Sequence, residues 1–322
     1  MIDYSVIIRT TGEAHEKYQK LLDSIEKLMP QPQEIIVVLP EGKEYPKEKT
    51  GKERYYFSPE GMVTQRMTGV EKCKTKYALI CDDDVCFEPD FVEYLYEPIK
   101  AGMCSITVGP LYSFLPSEGI KAFLSALMGS AVPTVFHKER YVSILRTSGY
   151  SYNRKLSTKR KYYETQSAAW TCFFAEVDAL KKINFMDEIW LEDHGYSYLD
   201  DQTMFYKAYL LGIKTMVVVS AEYEHLDART YVKNKRDSVL YSMNFNRVVF
   251  WHRFIYKRQK NKLSKMSTTV CFVYRSIWLI IYHLLSILRR RMTVREFEIS
   301  CRGYWDGWKY IETKEYKELP LV

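Results

Sequence analysis

Three consecutive carboxylates, Asp82, Asp83 and Asp84, directly follow an apolar run at residues 77–81, YALIC. An apolar run of this length without helical spacing is typical of a strand that is buried on both faces. The aspartates should then emerge at the carboxyl end of the strand, where open α/β sheets bind ligands. Like charges this close are stabilised by a cation, and oxygen ligands favour Mg²⁺ or Mn²⁺. The pattern predicts a divalent-metal site open to phosphate oxygens, and the alternative is a solvated acidic turn.

Two further pairs of acidic residues are candidates for a general base. The first pair is Glu192 with Asp193, and the second is Asp200 with Asp201. Only the second pair is followed by apolar residues at helical spacing, so we expect it to open a helix. A carboxylate at a helix start can also be an ordinary N-cap, and one residue can do both jobs.

The elements that must position these carboxylates alternate between strands and helices. Strands are predicted at residues 4–9, 34–39, 54–57, 77–81, 168–175 and 214–220, and residues 105–114 are predicted to be a strand that runs into a loop. Helices are predicted at residues 13–29, 61–73, 176–183 and 199–212. This alternation is typical of a parallel, doubly wound sheet in an α/β protein. Residues 115–166 show poor periodicity and form a variable insert.

Composition bounds the class of protein. With 322 residues, of which 47% are hydrophobic and 27% charged, the chain can bury a large core. The seven cysteines are scattered without the spacing of a zinc site, which favours reduced, cytosolic thiols. The opening residues, MIDYSVIIRT, lack the regions of a signal peptide.

The net charge of +7 is distributed unevenly along the chain. Residues 1–225 carry 27 Lys and Arg against 32 Asp and Glu, whereas residues 226–322 carry 20 against 8. The basic character therefore belongs to the last part of the chain. Such a segment suits nucleic acid, an anionic membrane surface or a solvated helix face.

Four segments together resemble the GT-A fold glycosyltransferases, specifically the large family-2-like group that uses nucleotide-diphosphate sugars and inverts the anomeric centre. They are YSVIIRT at the start, EIIVV in the second strand, the DDD triplet, and LDDQTMFYKAYLLG at residues 199–212. The resemblance implies a single GT-A domain with a mostly parallel central sheet at residues 1–226, with a donor-binding half near 1–110 and an acceptor half near 111–226. A helical, basic, membrane-associating extension follows at residues 227–322.

The resemblance also implies roles for the first acidic cluster and its surroundings. Thr10 and Thr11, at the end of the first strand, would lie by the nucleotide. Asp82 and Asp83 would face the uridine and ribose. Asp84 would hold the Mn²⁺ or Mg²⁺ that bridges the diphosphate.

Three more residues are assigned by position in the family. Arg66 sits where the family often has an Arg-Asn pair, with Met67 in place of the Asn. Glu41 is the carboxylate nearest to the point after the second strand where the family has base-binding acids, and the base could instead be held by backbone. His225 follows the strand at 214–220 and would complete the metal shell or touch the diphosphate, although a lone His can also be structural.

The general base follows from the same resemblance. The family's helix reads ED-x-x-L-x-x-R-x-x-x-x-G, and residues 200–212 correspond to it with Lys207 in place of the Arg. An inverting transfer needs a base that accepts the proton of the acceptor hydroxyl, opposite the leaving phosphate. By position that base is Asp201, with Asp200 beside it.

The basic tail contains two segments that could meet a membrane. Residues 244–262 interleave apolar and basic side chains, as an amphipathic basic helix does. Residues 270–288 form a long apolar run that Arg275 and His283 interrupt, and ~20 apolar residues are needed to span a bilayer. We expect an interfacial helix on an anionic membrane through residues 244–291; a helix packed on the catalytic domain and a true span are the alternatives.

The resemblance, together with the basic tail, implies a metal-dependent, inverting glycosyltransferase at the cytoplasmic face of a membrane. Its partners would be a nucleotide-diphosphate sugar and a glycan or lipid-linked acceptor of surface polysaccharide or glycoconjugate synthesis, with no nucleic acid. The alternatives are a non-catalytic nucleotide or nucleic-acid binding protein that uses the basic tail, and a metal-dependent nucleotidyltransferase. Nucleic acid would leave both acidic clusters facing an anionic ligand. The turn TTGEAHEK offers only Gly12 for a phosphate loop.

Overall fold

The computed structural model describes residues 2–116, 118–157, 159–193, 195–226 and 236–322. These residues fall into two compact units. The first comprises the described residues of Met1–Phe114, Leu156–Ile189 and Asp200–Val232, and the second those of Leu115–Lys155, Trp190–Leu199 and Lys233–Val322. This division follows compactness, and the boundary at residue 226 between a catalytic domain and an extension stays a prediction.

The first unit is built on one large sheet. Its strands are β1 (Tyr4–Arg9), β2 (Glu34–Pro40), β3 (Glu53–Ser58), β4 (Tyr77–Asp82), β5 (Val85–Phe87), β6 (Ile106–Val108), β10 (Tyr162–Thr165), β11 (Cys172–Glu176), β12 (Thr215–Val218) and β13 (Tyr223–His225). Its helices are α1 (Glu16–Lys27), α2 (Met62–Lys72), α3 (Phe91–Lys100), α5 (Val177–Ile183) and α6 (Asp200–Leu210).

Eight strands form this sheet in the order β10-β12-β6-β11-β4-β1-β2-β3. The strands β3, β2, β1 and β4 are mutually parallel, as are β6 and β12, while β11 runs antiparallel between β4 and β6. The mixed α/β architecture with a mostly parallel central sheet confirms the predicted fold class. A separate pair, β5 with β13, is antiparallel and follows directly on the acidic triplet.

Continuous apolar runs explain why the central strands form where the sequence predicted them. Every residue of β4 is buried, as expected for a strand covered on both faces. The strand predicted from the apolar run at 77–81 ends at Asp82, and Asp83 and Asp84 form the turn into β5. One core layer packs α1 and α3 on the sheet through Leu21, Leu95 and Phe174.

Helix α2 approaches the sheet closely because Gly69 faces β1. A Cβ atom at Gly69 would overlap the side chain of Ile7, so any larger residue would push the helix away. This close packing fixes the position of Arg66, which lies one turn earlier on the same helix.

The second unit contains a small sheet and the C-terminal helices. Its elements are α4 (Ile120–Leu127), β7 (Ala131–Pro133), β8 (Val142–Ile144), β9 (Tyr150–Tyr152), α7 (Arg236–Phe250), α8 (Lys262–Leu288), α9 (Val294–Tyr310) and α10 (Lys314–Glu318). The strands pair in the order β7-β9-β8, so the insert that lacked periodicity contains regular structure.

Residues 244–255 of the predicted membrane segment are buried apart from the half-buried His252, which corrects the expectation for most of residues 244–262. After α7 the chain continues as a π-helix at Trp251–Tyr256, and Phe250, Trp251 and Phe254 are all in the core of the second unit. Arg253, which looked like part of a polar face, is buried and donates a hydrogen bond from Nη2 to the Pro320 carbonyl oxygen at 2.8 Å. A surface through residues 244–291 therefore cannot include this stretch.

Among the described residues, α8 is the one helix long and apolar enough to cross a membrane by length and composition. It has 27 residues, and only 17% of its most apolar window is buried. Asn261 caps its N-terminus by accepting a hydrogen bond from the Ser264 amide. The helix is therefore continuous through the predicted apolar run and largely exposed along it.

Candidate functional site

The acidic triplet lies at the carboxyl edge of the sheet because β1 and β4 are parallel neighbours. Their register places Arg9 beside Asp82, and Arg9 Nε lies 3.4 Å from Asp82 Oδ1. One residue further, the Thr10 hydroxyl donates to Asp83 Oδ2 at 2.5 Å. Gln65 holds this end of β1 in place by donating from Nε2 to the carbonyl oxygens of Thr10 and Val38.

Arg66 connects the two acidic clusters. The side chain is 1% exposed, and Nη2 donates to Asp82 Oδ1 at 2.6 Å. Nη1 lies 3.6 Å from Asp200 Oδ2. The guanidinium also stacks over the ring of Trp170, with Cζ 4.2 Å from the ring centroid. A buried cation thus lies between carboxylates that are separated by more than a hundred residues of sequence.

Helix α6 begins at the predicted acidic pair. Asp200 and Asp201 form its first turn, and the Asp201 carboxylate accepts a hydrogen bond from the Gln202 amide at 2.6 Å. Burial raises the pKa of Asp200, and the neighbouring Asp201 charge raises it further. Burial likewise raises the pKa of Asp201. A carboxylate with a raised pKa is a stronger base once it is ionised, which suits proton abstraction near neutral pH.

Asp83 is a buried acid of the triplet. Burial raises its pKa to about 6, and the Arg9 charge and the Thr10 hydroxyl only partly offset this effect. Asp82 and Asp84 add to the rise. The triplet therefore favours a cation beside it.

Asp84 and His225 form the pair that could hold a metal. Asp84 Oδ1 lies 3.4 Å from His225 Nε2, and the Asp84 carbonyl oxygen accepts from the Leu226 amide at 2.7 Å. In the described part of the chain, no group of three or more His, Cys, Asp or Glu side chains is arranged to hold a metal by itself. A carboxylate and an imidazole fit Mn²⁺, and two protein ligands would leave positions open for phosphate oxygens and water.

A buried ion cluster stiffens the helix that carries the candidate base. Lys207 is 3% exposed and lies 2.9 Å from Glu188 Oε1 and 3.0 Å from Asp187 Oδ2. It also donates to the Asn184 carbonyl oxygen at 3.1 Å. The Lys at the family's Arg position is thus a structural cation of α6.

The other two predicted donor-binding residues, Thr11 and Glu41, make no described contact with the acidic triplet. Thr11 is half-buried next to Thr10, and the Gly12 amide donates to the Thr10 hydroxyl. Glu41 is exposed in the turn after β2, and no described hydrogen bond connects it to the triplet. The roles predicted for both residues stay predictions.

Sequence reasoning missed three residues that the geometry brings to the site. Arg9 and Trp170 contact the Asp82–Arg66 pair, and Phe114 lies beside His225 with ring centroids 5.6 Å apart. Phe114 is half exposed, as an aromatic platform for a sugar ring would be. Parallel register between the first and fourth strands was the signal that could have identified Arg9, since it sits opposite Asp82.

The mixed α/β fold with its mostly parallel central sheet is that of a GT-A glycosyltransferase domain. The sequence pattern of glycosyl transferase family 2 matches residues 5–183, more than half of the chain. The chain belongs to this family of glycosyltransferases. The predicted family resemblance and the predicted transferase activity are thereby confirmed at the level of the family.

Solved structures share the fold at low sequence identity. The crystal structure of S. aureus TarS 1-349 superposes with a TM-score of 0.51 at 14% identity, covering 95% of this chain and 81% of that one. The crystal structure of GalNAc-T7 with UDP, GalNAc and Mn²⁺ gives 0.50 at 14% identity, covering 86% of this chain and 55% of that one. The chain thus spans about half the length of the second structure. No protein with a curated description matches it.

Proposed function

We propose that this protein transfers a sugar from a nucleotide-diphosphate sugar to a hydroxyl group of a glycan or lipid-linked acceptor, with inversion at the anomeric carbon. The synthesis of a surface polysaccharide or glycoconjugate would use such a reaction. Membership of glycosyl transferase family 2 supports the reaction class.

One observation carries the proposal: Arg66 joins Asp82 of the triplet to Asp200 of α6. Through this cation, the candidate donor-binding Asp82 and Asp200, the neighbour of the candidate base Asp201, are parts of one ion network at one edge of the sheet. A solvated acidic turn would need no buried arginine, because water would stabilise its charges.

Some residues of the site would act on the acceptor and others would bind the donor. Asp201 would accept the proton of the acceptor hydroxyl, since its raised pKa makes it an effective base. Arg66 would keep Asp200 and Asp82 in place through both of its terminal nitrogens. Thr10 and Asp83 would contact the nucleoside, where their mutual hydrogen bond fixes both side chains.

Asp84 and His225 are the residues that would hold a divalent metal. When bound there, Mn²⁺ or Mg²⁺ would supply charge neutralisation for the departing diphosphate, so that no acid catalyst is required. The Mn²⁺ in the structure of GalNAc-T7 supports this choice of cation.

We place the enzyme at the cytoplasmic face of a membrane, bound peripherally. The excess of basic over acidic residues after residue 226 supports this location, since anionic lipid headgroups attract Lys and Arg. A lipid-linked acceptor would be presented at such a surface.

A thermal-shift panel tests the proposal. The full chain is heated with a series of nucleotide sugars, each in the presence of Mn²⁺ and again with excess EDTA. A donor should raise the melting temperature only with the metal, because a ligand stabilises the state that binds it. The proposal fails if no nucleotide sugar shifts the melting temperature in either condition.

A further inference from the structure

The second unit exposes apolar side chains along two helices. On α8, Met266 and Ile277 are 59% and 52% exposed, and Ile281 and Leu284 are also exposed. On α4, Phe123 is 63% exposed and Leu124 is 47% exposed. We call these six side chains the apolar face. Exposed apolar clusters of this kind usually mark a binding surface.

The two helices belong to one surface because they are in contact. The Tyr274 hydroxyl of α8 donates to the Leu127 carbonyl oxygen at the end of α4, at 2.6 Å. The exposed residues of α8 recur at three and four positions, which is the spacing of one helical stripe. The apolar face is therefore a two-helix surface.

The opposite stripe of α8 is attached to protein along most of its length. Its buried residues are Thr268, Phe272, Arg275 and His283. Arg275 donates from Nη1 to the Thr147 carbonyl oxygen at 3.2 Å and from Nη2 to the Ser130 hydroxyl at 3.3 Å.

Polar contacts also lie towards each end of this stripe. Arg146 donates to the Ser267 hydroxyl at 2.9 Å, and His283 Nδ1 lies 3.3 Å from the Ser300 hydroxyl. From Ser267 to His283 the helix rises about 24 Å at 1.5 Å per residue. A helix held by polar protein contacts over this length cannot be surrounded by lipid tails, because those partners would enter the hydrocarbon with it.

The charged residues of α8 and of the segments that flank it in the sequence are of one sign. No Asp or Glu occurs between Asp237 and Glu296. Exposed basic residues stand at both ends of α8, with Lys260 before it, Lys262 at its first position, and Arg289, Arg290 and Arg291 after it. A second copy of the chain packed along α8, in either direction, would bring these cations together, whereas an anionic bilayer neutralises them.

We propose that α4 and α8 together form a monotopic docking surface for an anionic lipid bilayer, with α8 lying in the plane of the interface. The apolar face enters the boundary between headgroups and acyl chains, and the flanking Lys and Arg contact lipid phosphates. This inference specifies how the proposed enzyme binds its membrane, and it rests on the proposed function. It assigns α4 a part in docking and excludes the buried stretch at Trp251–Tyr256.

Co-sedimentation of the full chain with vesicles tests this surface. The vesicles contain phosphatidylcholine, either alone or mixed with phosphatidylglycerol. The variant Phe123→Ser/Ile277→Ser/Ile281→Ser should bind the mixed vesicles at least tenfold more weakly than the wild type. The control Met29→Ser/Met186→Ser/Leu321→Ser, which removes exposed apolar side chains elsewhere, should bind like the wild type.

Three outcomes would overturn the inference. The first is that the wild type binds neither kind of vesicle, and the second is that the two triple variants bind equally well. The third is that the wild type binds no vesicles but is a dimer in sedimentation equilibrium, whereas the variant Phe123→Ser/Ile277→Ser/Ile281→Ser is a monomer. The donor-dependent thermal shift should be unchanged in both variants. A wild type that binds vesicles without any donor shift would refute the proposed function and leave the docking surface standing.

The depth of α8 is measured separately. Single cysteines at Met266, Ile277 and Leu288, in a chain with Cys86, Cys271 and Cys301 replaced by Ser, carry a fluorophore that brominated lipids quench at known depths. An in-plane helix predicts similar, shallow depths at all three positions. A label at 277 much deeper than the labels at 266 and 288 would show a span and overturn the in-plane arrangement.

Discussion

The Nη1 atom of Arg66 lies 3.6 Å from Asp200 Oδ2. The other terminal nitrogen of the same guanidinium donates to Asp82 at 2.6 Å. Since all three side chains are largely withdrawn from water, each charge depends on the others for its stabilisation. The two halves of the candidate site are therefore coupled through one residue.

Replacing Arg66 should damage both stability and donor binding. Arg66→Ala leaves Asp82 and Asp200 without their shared cation, and we expect a loss of about 3–5 kcal/mol in the free energy of unfolding. The free energy of unfolding of Arg66→Lys should lie between those of the wild type and Arg66→Ala, because an ammonium group lacks the planar guanidinium geometry that binds two carboxylates. Arg54→Ala is the control, since Arg54 pairs with Glu34 at the surface and should cost about 1 kcal/mol or less. Equal denaturation curves for Arg66→Ala and Arg54→Ala would contradict the coupling.

The sequence predicted the strands and the acidic triplet well because local patterns determine them. The apolar run before Asp82 requires a buried strand wherever it lies in the sheet, and α6 begins at Asp200 as the helical spacing indicated. Arg9 was missed because a single Arg at the end of a strand has no pattern of its own. Its importance arises from the parallel register that places it beside Asp82.

The tail was predicted less well because long-range contacts decide its burial. Arg253 and the apolar residues around it have the spacing of an amphipathic surface helix. In the structure, the carbonyl oxygen of Pro320 accepts a hydrogen bond from Arg253, and Tyr316 accepts or donates one with His252. The C-terminal residues thus cover this segment, which no local pattern reveals.

Lys207 should stabilise the fold through Glu188. Lys207→Met leaves Glu188, which is fully buried, without its cation, so we expect unfolding to become easier by about 3–5 kcal/mol. The double variant Lys207→Met/Glu188→Gln should recover much of this loss, since the two buried charges are then absent and the remaining Asp187 carboxylate is partly exposed to water. Lys309→Met, in an exposed pair with Asp306, is the matched control. If the double variant is no more stable than Lys207→Met in urea denaturation, loss of the Lys207–Glu188 ion pair is not what destabilises Lys207→Met.

The raised pKa of Asp200 has a consequence for stability against pH. The folded chain holds this proton up to about pH 7, whereas the unfolded chain releases it near 3.8. Between these values the folded state binds more protons, so its stability falls as the pH rises. Asp200→Asn should remove the part of the pH-dependent loss of stability that this proton causes. Measured against the wild type at the same pH, the variant should therefore be more stable at pH 8 than it is at pH 4. Parallel stability curves for the wild type and Asp200→Asn would contradict this prediction.

Asp201 is the expected base, and its loss should affect the chemical step. Asp201→Asn should lower kcat by about 10²- to 10⁴-fold, the usual contribution of a positioned general base, while donor affinity stays near the wild-type value. Glu192→Gln and Asp193→Asn are the comparison variants and should keep kcat close to that of the wild type. A large loss of kcat in either of them, with Asp201→Asn active, would assign the base to the other acidic pair.

The most direct measurement is the release of nucleoside diphosphate from the donor that gives the largest thermal shift, as its sugar is transferred to a hydroxyl group of an added glycolipid extract or to water, with and without a divalent metal. Wild-type protein should release it with Mn²⁺ or Mg²⁺ and stop in excess EDTA. Asp84→Asn should release none in either condition, since an amide binds a divalent cation poorly, while the surface variant Asp23→Asn should match the wild type. Full release by the wild type in EDTA, or by Asp84→Asn with metal, would contradict the metal-dependent transfer proposed for this site.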